Sequence, residues 1–275
     1  MLVLINAKTK SKKLEILGYI LAIFVGISIG LIGAGGSILA LPILVYLFGI
    51  EAAETAPAYS LFVVGICSII GAYMRHKQGL VNFKTVLFFG APTVLAIFIT
   101  RFFVIPIIPH ELFTINHFIF TIRILVMGMF ALLMILASYF MILKPVSDTP
   151  VKVNQVLNFG GGVFTGFLSG LIGAGGGFIM IPALIKIGNL TVQMAIGTSL
   201  AIIALNSMVG FAASTSHIFI DWKLLLTFSG LSIIGIVIGN HFSKKVKSET
   251  LKKGFGWFIL LTGIFILVKE LIFKH

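Results

Sequence analysis

Two seven-residue stretches of this chain, 30–36 and 170–176, both read Gly-Leu-Ile-Gly-Ala-Gly-Gly and lie 140 positions apart. Each is followed by an apolar run containing a proline, Pro42 and Pro182. Glycine leaves helical geometry at little cost, so each stretch is expected to break a helix and begin a shorter one. The first turn of a helix offers N–H groups without intrahelical partners and the positive end of the helix dipole, which together favour an anion. Gly35, Gly36 and Ser37 in the first copy, and Gly175, Gly176 and Gly177 in the second, are the expected backbone donors. The competing reading is that small residues only let helices pack closely. A phosphate-binding nucleotide loop is excluded, because no Lys-Ser or Lys-Thr follows either stretch and no strand precedes it.

Polar side chains within apolar stretches are the next candidates. At an offset of 139, Ser60 matches Ser199, Cys67 matches Asn206 and Ser68 matches Ser207. Spacings of seven and eight put these residues close to one helical face, where hydroxyl and amide groups can ligate an anion or simply bond between helices. Arg101 and Arg123 are the basic residues nearest to lying inside an apolar span. They are candidates to meet an anion, and a side chain that reaches for the headgroups is the alternative. Glu51 and Glu54 flank the turn after the first short helix and could relay protons or stand in solvent. The six histidines lie at or near segment ends without metal-ligand spacing, and the single cysteine, Cys67, allows no intrachain disulfide. No metal, cofactor or catalytic constellation is expected.

The elements that position these residues belong to a membrane. Hydrophobic residues make up 59% of the 275, charged residues 10%, and the net charge is +12. That composition predicts an all-α polytopic membrane protein. The basic residues cluster at segment ends, as headgroup contacts require, and not on a face that would bind nucleic acid. The apolar stretch after Lys13 is too long for a signal-peptide core, so the first helix is expected to be retained. Residues 16–50 and 153–185 lack charged side chains and are too long for one crossing of a ~30 Å hydrocarbon core. Each is expected to be a full helix, a glycine break and a half-helix, at 37–48 and 177–187. Further spans are expected at 55–74, 86–103, 118–143, 192–214, 224–240 and 255–268, giving about eight. An N-terminal tail (1–13) precedes a first repeat (14–143), a linker (144–152) and a second repeat (153–275). If the short pieces turn back, the halves are inverted and the broken helices meet at the midplane; this is the preferred reading. If each broken run crosses once, the halves are parallel. The lysines do not decide between these, and oligomeric state is not legible.

Length, duplication, the doubled glycine motif and Gly-Thr-Ser-Leu at 197–200 together resemble the sulfite exporter TauE/SafE family of membrane transporters, over roughly residues 14–267. The resemblance implies export of a small sulfur-containing or organic anion, such as sulfite or an organosulfonate, across the bacterial cytoplasmic membrane. Either a proton or sodium gradient drives it, or the anion follows the membrane potential outward. The first half carries Ala56-Pro57-Ala58-Tyr59-Ser60 where the second has Ala195-Ile196-Gly197-Thr198-Ser199. The site is therefore expected to be asymmetric, with Thr198 and Ser199 the more family-like residues and Tyr59 either narrowing the cavity or packing. A passive anion channel and a membrane assembly or binding protein are the alternatives.

Overall fold

The computed structural model describes residues 2–33, 37–50, 54–109, 111–115, 118–143, 155–173, 176–186, 188, 190–216, 218–243 and 248–272. In chain order these form α1 (Leu2–Ile32), α2 (Ser37–Tyr46), α3 (Thr55–His76) and α4 (Phe83–Ile99). A π-helical turn, Thr100–Val104, and α5 (Ile105–Ile107) prolong α4. A short antiparallel hairpin, β1 (Glu111–Ile115) and β2 (Phe118–Thr121), leads into α6 (Ile122–Leu143). The remainder is α7 (Gln155–Ile172), α8 (Gly177–Lys186), α9 (Val192–Ser214), α10 (Trp222–Ser243) and α11 (Ser248–Ile272). The hairpin departs from the all-α expectation: the run from Phe118 begins as Phe-Ile-Phe-Thr, residue types suited to a strand, and helix starts only at Ile122.

Among the described residues, five helices are long and apolar enough to cross a membrane: Leu14–Ile32, Thr55–His76, Phe83–Ile107, Val192–Ser214 and Trp222–Ser243. Ile124–Tyr139 and Phe159–Ile172 are shorter apolar helices. Phe24, Leu87, Leu132, Phe164 and Leu261 are more than half exposed. An apolar exterior of this kind is costly in water and suits lipid.

At the centre α3 packs on α9, both mostly buried. A side chain at Gly65 would meet Ser207, one at Gly71 would meet Leu200, and one at Gly210 would meet Leu61, so the two helices run antiparallel. Around them α1 packs on α10, α4 on α7 and α6 on α11. A Cβ on Gly26 would overlap the Ser232 carbonyl, and one on Gly30 the backbone of residues 236–240, so α1 and α10 run parallel with their backbones in contact. The α4–α7 pair repeats this geometry, Gly166 lying against Thr93 and Gly170 against Thr100. Such contacts admit only glycine, and van der Waals packing and hydrogen bonds between helices drive association in lipid. The Ser232 hydroxyl adds one by donating to the Ala22 carbonyl at 2.9 Å.

Candidate functional site

Both glycine motifs end a long helix in the same way. Gly33 (φ 85°) and Gly173 (φ 73°) take the left-handed conformation, and their N–H groups donate to Ile29 and Ser169 carbonyls at 2.8 Å. This is a helix stop that glycine makes without steric penalty. After the first stop the chain doubles back along α1, so that Phe48 packs on Gly18 and edge-on against Tyr19, ring centroids 5.1 Å apart. The short helices form as expected. They do not meet at the midplane. Gly33 abuts Ile196 near the start of α9, whereas Gly173 abuts Pro57 near the start of α3. Because α3 and α9 are antiparallel, those starts lie at opposite ends of the pair, about 27 Å apart along the 18 residues from Pro57 to Arg75. Gly35, Gly36 and Gly175 lie outside the described residues. Ser37 opens α2, with its side chain outside the description, and Gly177 opens α8. Gly176 (φ 66°) brings that start alongside Ser169 and Thr165 of α7, with the buried Ser169 hydroxyl against it and unpartnered.

The polar face predicted on α3 and α9 is present and fully buried. Ser60, Ser68, Ser207 and both polar atoms of Asn206 have no hydrogen-bond partner among the described residues, and Cys67 is a buried free thiol. Asn206 and Ser207 sit at the level where α9 crosses Gly65, halfway along the pair. An unpartnered buried amide costs about 1–3 kcal/mol, which a structural role alone would not repay. Ser199 differs from its counterpart Ser60: its hydroxyl donates to the Ile196 carbonyl at 2.9 Å, so it is committed to its own helix.

Two further candidates hold loops. The Tyr59 hydroxyl accepts the Asp221 N–H, donates to the Phe219 carbonyl at 3.4 Å, and so fixes the segment between α9 and α10. Thr198, 139 positions after Tyr59, accepts the Asn82 N–H at 3.0 Å. Asn82 and Asp221 in turn cap the next helices, accepting from Thr85 and Leu224 N–H groups at 3.1 Å each. These residues set the entry angle of α4 and α10.

Arg101 lies in the π-helical turn, 2% exposed, with Nε and Nη2 unpartnered. It lines a small cavity with Glu54, Ile105, Pro106, Ser214 and Ile218. A reach to the headgroups is therefore not what this side chain does. The side chain of Arg123 lies outside the described residues. Sequence reading passed over Arg75, because it ends a span where a solvated arginine is ordinary. It is 4% exposed and donates to Ser243 Oγ at 3.1 Å, Gly30 O at 3.4 Å and Gln193 Oε1 at 3.4 Å, tying together four helix ends.

The sulfite exporter TauE/SafE profile matches residues 19–266. A probable membrane transporter protein of Xylella fastidiosa is 25% identical over 251 residues, covering 88% of this chain and 91% of its own length. One of Methanocaldococcus jannaschii is 27% identical over 266 residues, covering 90% and 94%. YjnA of Bacillus subtilis, a probable membrane transporter protein, is 27% identical over 254 residues, covering 89% and 96%. No solved structure matches the chain. The profile match over most of the length, joined to spanning helices with a lipid-type exterior, makes this chain a member of the sulfite exporter TauE/SafE family of membrane transporters.

Proposed function

We propose that the chain is a secondary transporter exporting a small sulfur-containing or organic anion, sulfite or an organosulfonate, across the cytoplasmic membrane by alternating access between two inverted halves, 14–143 and 153–275. The observation that carries this is the central pair. Sequence-equivalent α3 and α9 pack antiparallel, and their equivalent residues Ser68 and Ser207 are buried without partners, as is Asn206. Equivalent helices related by a two-fold axis along the membrane normal would run parallel; antiparallel packing calls for an axis in the membrane plane, the arrangement used to expose one site to either side. The shift of about 139 also relates contacts: Tyr59–Asp221 to Thr198–Asn82, Gly173–Pro57 to Gly33–Ile196, and Gly166–Thr93 to Gly26–Ser232. Exchange of conformation between such halves opens one end as it closes the other, and the polar middle of α3 and α9 is where substrate passes. The description of the matching family supports the anion.

Proteoliposomes test this reading. Labelled sulfite should enter saturably and be driven faster by unlabelled sulfite on the far side. Flux that rises linearly with sulfite and shows no counterflow would replace the carrier with a channel, and absence of flux for sulfite, taurine, sulfoacetate and acetate would remove the anion.

A further inference from the structure

We propose that Arg101 and Gly173 form an oxyanion-binding station at one end of the α3–α9 pair, taking a monoanionic sulfonate, hydrogensulfite or carboxylate headgroup on the side edge of the guanidinium. Nε and Nη2 are the two donors of that edge, spaced to grip two oxygens of one planar or tetrahedral oxyanion. Both are buried and neither has a partner among the described residues. A buried guanidinium with its whole side edge unbonded is costly enough that a protein keeps it only for a ligand or a partner. Glu54 lines the same cavity yet takes up neither donor.

The glycine motif explains why no side chain covers that edge. A Cβ on Gly173 would lie 2.5 Å from Nη2 of Arg101, so any other residue there would cover the donor. The left-handed stop that ends α7 therefore keeps a side chain off the arginine, whose Nε and Nη2 are closed to solvent in this conformation. The π-helical turn aims it: a local change of helical register at this point turns Arg101 inward, a feature often found at functional sites. Ser214, 6% exposed, is on the cavity wall with its hydroxyl donated to the Gly210 carbonyl, so it has no proton left for the anion. The Glu54 carboxylate on the same cavity wall offsets the Arg101 charge, so a second negative charge on the ligand is opposed more than the first.

The station is one-sided. At an offset of 139, Arg101 corresponds to Asn240 and Glu54 to Gln193, so the charged pair is replaced by neutral residues at the other end. There the arginine comes from α3 instead, and Arg75 donates through Nη1 and Nη2 to Gln193, Ser243 and the Gly30 carbonyl, leaving Nε unpartnered among the described residues. At one end the arginine is bonded to the protein through both Nη groups, and at the other the Nε–Nη2 edge has no protein partner among the described residues.

Calorimetric titration of the full chain in detergent with methanesulfonate, a fixed monoanion, and sulfate, a dianion, tests the station. The wild-type protein should bind methanesulfonate saturably and about tenfold or more tighter than sulfate. Arg101→Lys keeps the charge but loses the fork and should weaken methanesulfonate by about tenfold or more. Glu54→Gln should narrow the preference over sulfate. Saturable methanesulfonate binding unchanged in Arg101→Lys, or none in the wild type, would overturn the assignment. The assignment rests on the transport reading only for its part in flux, and the two fail separately. Wild-type binding that Arg101→Lys weakens, without flux in liposomes, sinks the transporter reading alone. Saturable sulfite flux unaltered by Arg101→Lys sinks the station alone.

Discussion

At the scale of single residues, Asn206 separates function from packing. Its amide is fully buried and makes no hydrogen bond among the described residues, so replacing it by an apolar side chain of similar volume removes a desolvation cost. Asn206→Leu should therefore stabilise the fold by about 1–3 kcal/mol, seen as a higher unfolding temperature in detergent. If the amide meets substrate, the same variant should lose sulfite flux by about tenfold or more. A more stable protein with wild-type flux would leave Asn206 no part in transport. Thr198 predicts the opposite pattern. Thr198→Val removes the acceptor for the Asn82 N–H and should cost about 1–2 kcal/mol of stability, with its flux falling only as far as the folded fraction does. The contrast arises because a side-chain type marks a polar site, while its partner is set by the fold: nothing local to Ser60 and Ser199 told that one hydroxyl is free and the other bonded to Ile196.

At the scale of elements, the same residue type has opposite roles according to what faces it. Gly26 and Gly239 sit where α1 and α10 touch backbone to backbone, so Gly26→Val should prevent correct packing and abolish the folded species on size-exclusion chromatography. Gly128 and Gly230 have open space where a side chain would go. Gly128→Ala and Gly230→Ala should be neutral or stabilise by up to about 1 kcal/mol through helix propensity alone. Sequence made the long helices, the breaks and the short helices after them legible, because run length without charge and consecutive glycines are local signals. It did not reveal that α1 pairs with α10 and α4 with α7, since partner choice depends on small-residue surfaces that many helices share. The midplane meeting of the breaks failed for the same reason: the antiparallel α3–α9 pairing that sends them to opposite ends is a tertiary fact. Arg101 was visible as a buried-charge candidate, but the π-helical turn that directs it inward has no sequence signature here.

For the whole molecule, inversion of the halves makes a prediction independent of substrate. Gln78 lies in the connection between α3 and α4, and Ser216 in the connection between α9 and α10, sequence-equivalent loops whose residues are both exposed. Parallel halves would put the two loops on the same side of the membrane. Inverted halves must put them on opposite sides, because each loop follows the C-terminal end of one member of the antiparallel pair. The single native thiol is buried and can be removed as Cys67→Ala, leaving a background in which one introduced cysteine reports alone. In intact cells, a membrane-impermeant maleimide should label one of Gln78→Cys and Ser216→Cys and spare the other until the membrane is opened. Arg75, Lys77 and Lys84 lie at the Gln78 end, so the positive-inside tendency makes Ser216→Cys the one that reacts first. Labelling of both in intact cells would contradict inversion, and with it the exchange between equivalent ends on which alternating access depends. A reversal, with Gln78→Cys reacting first, would keep the inverted halves and place the Arg101 station on the cytoplasmic face.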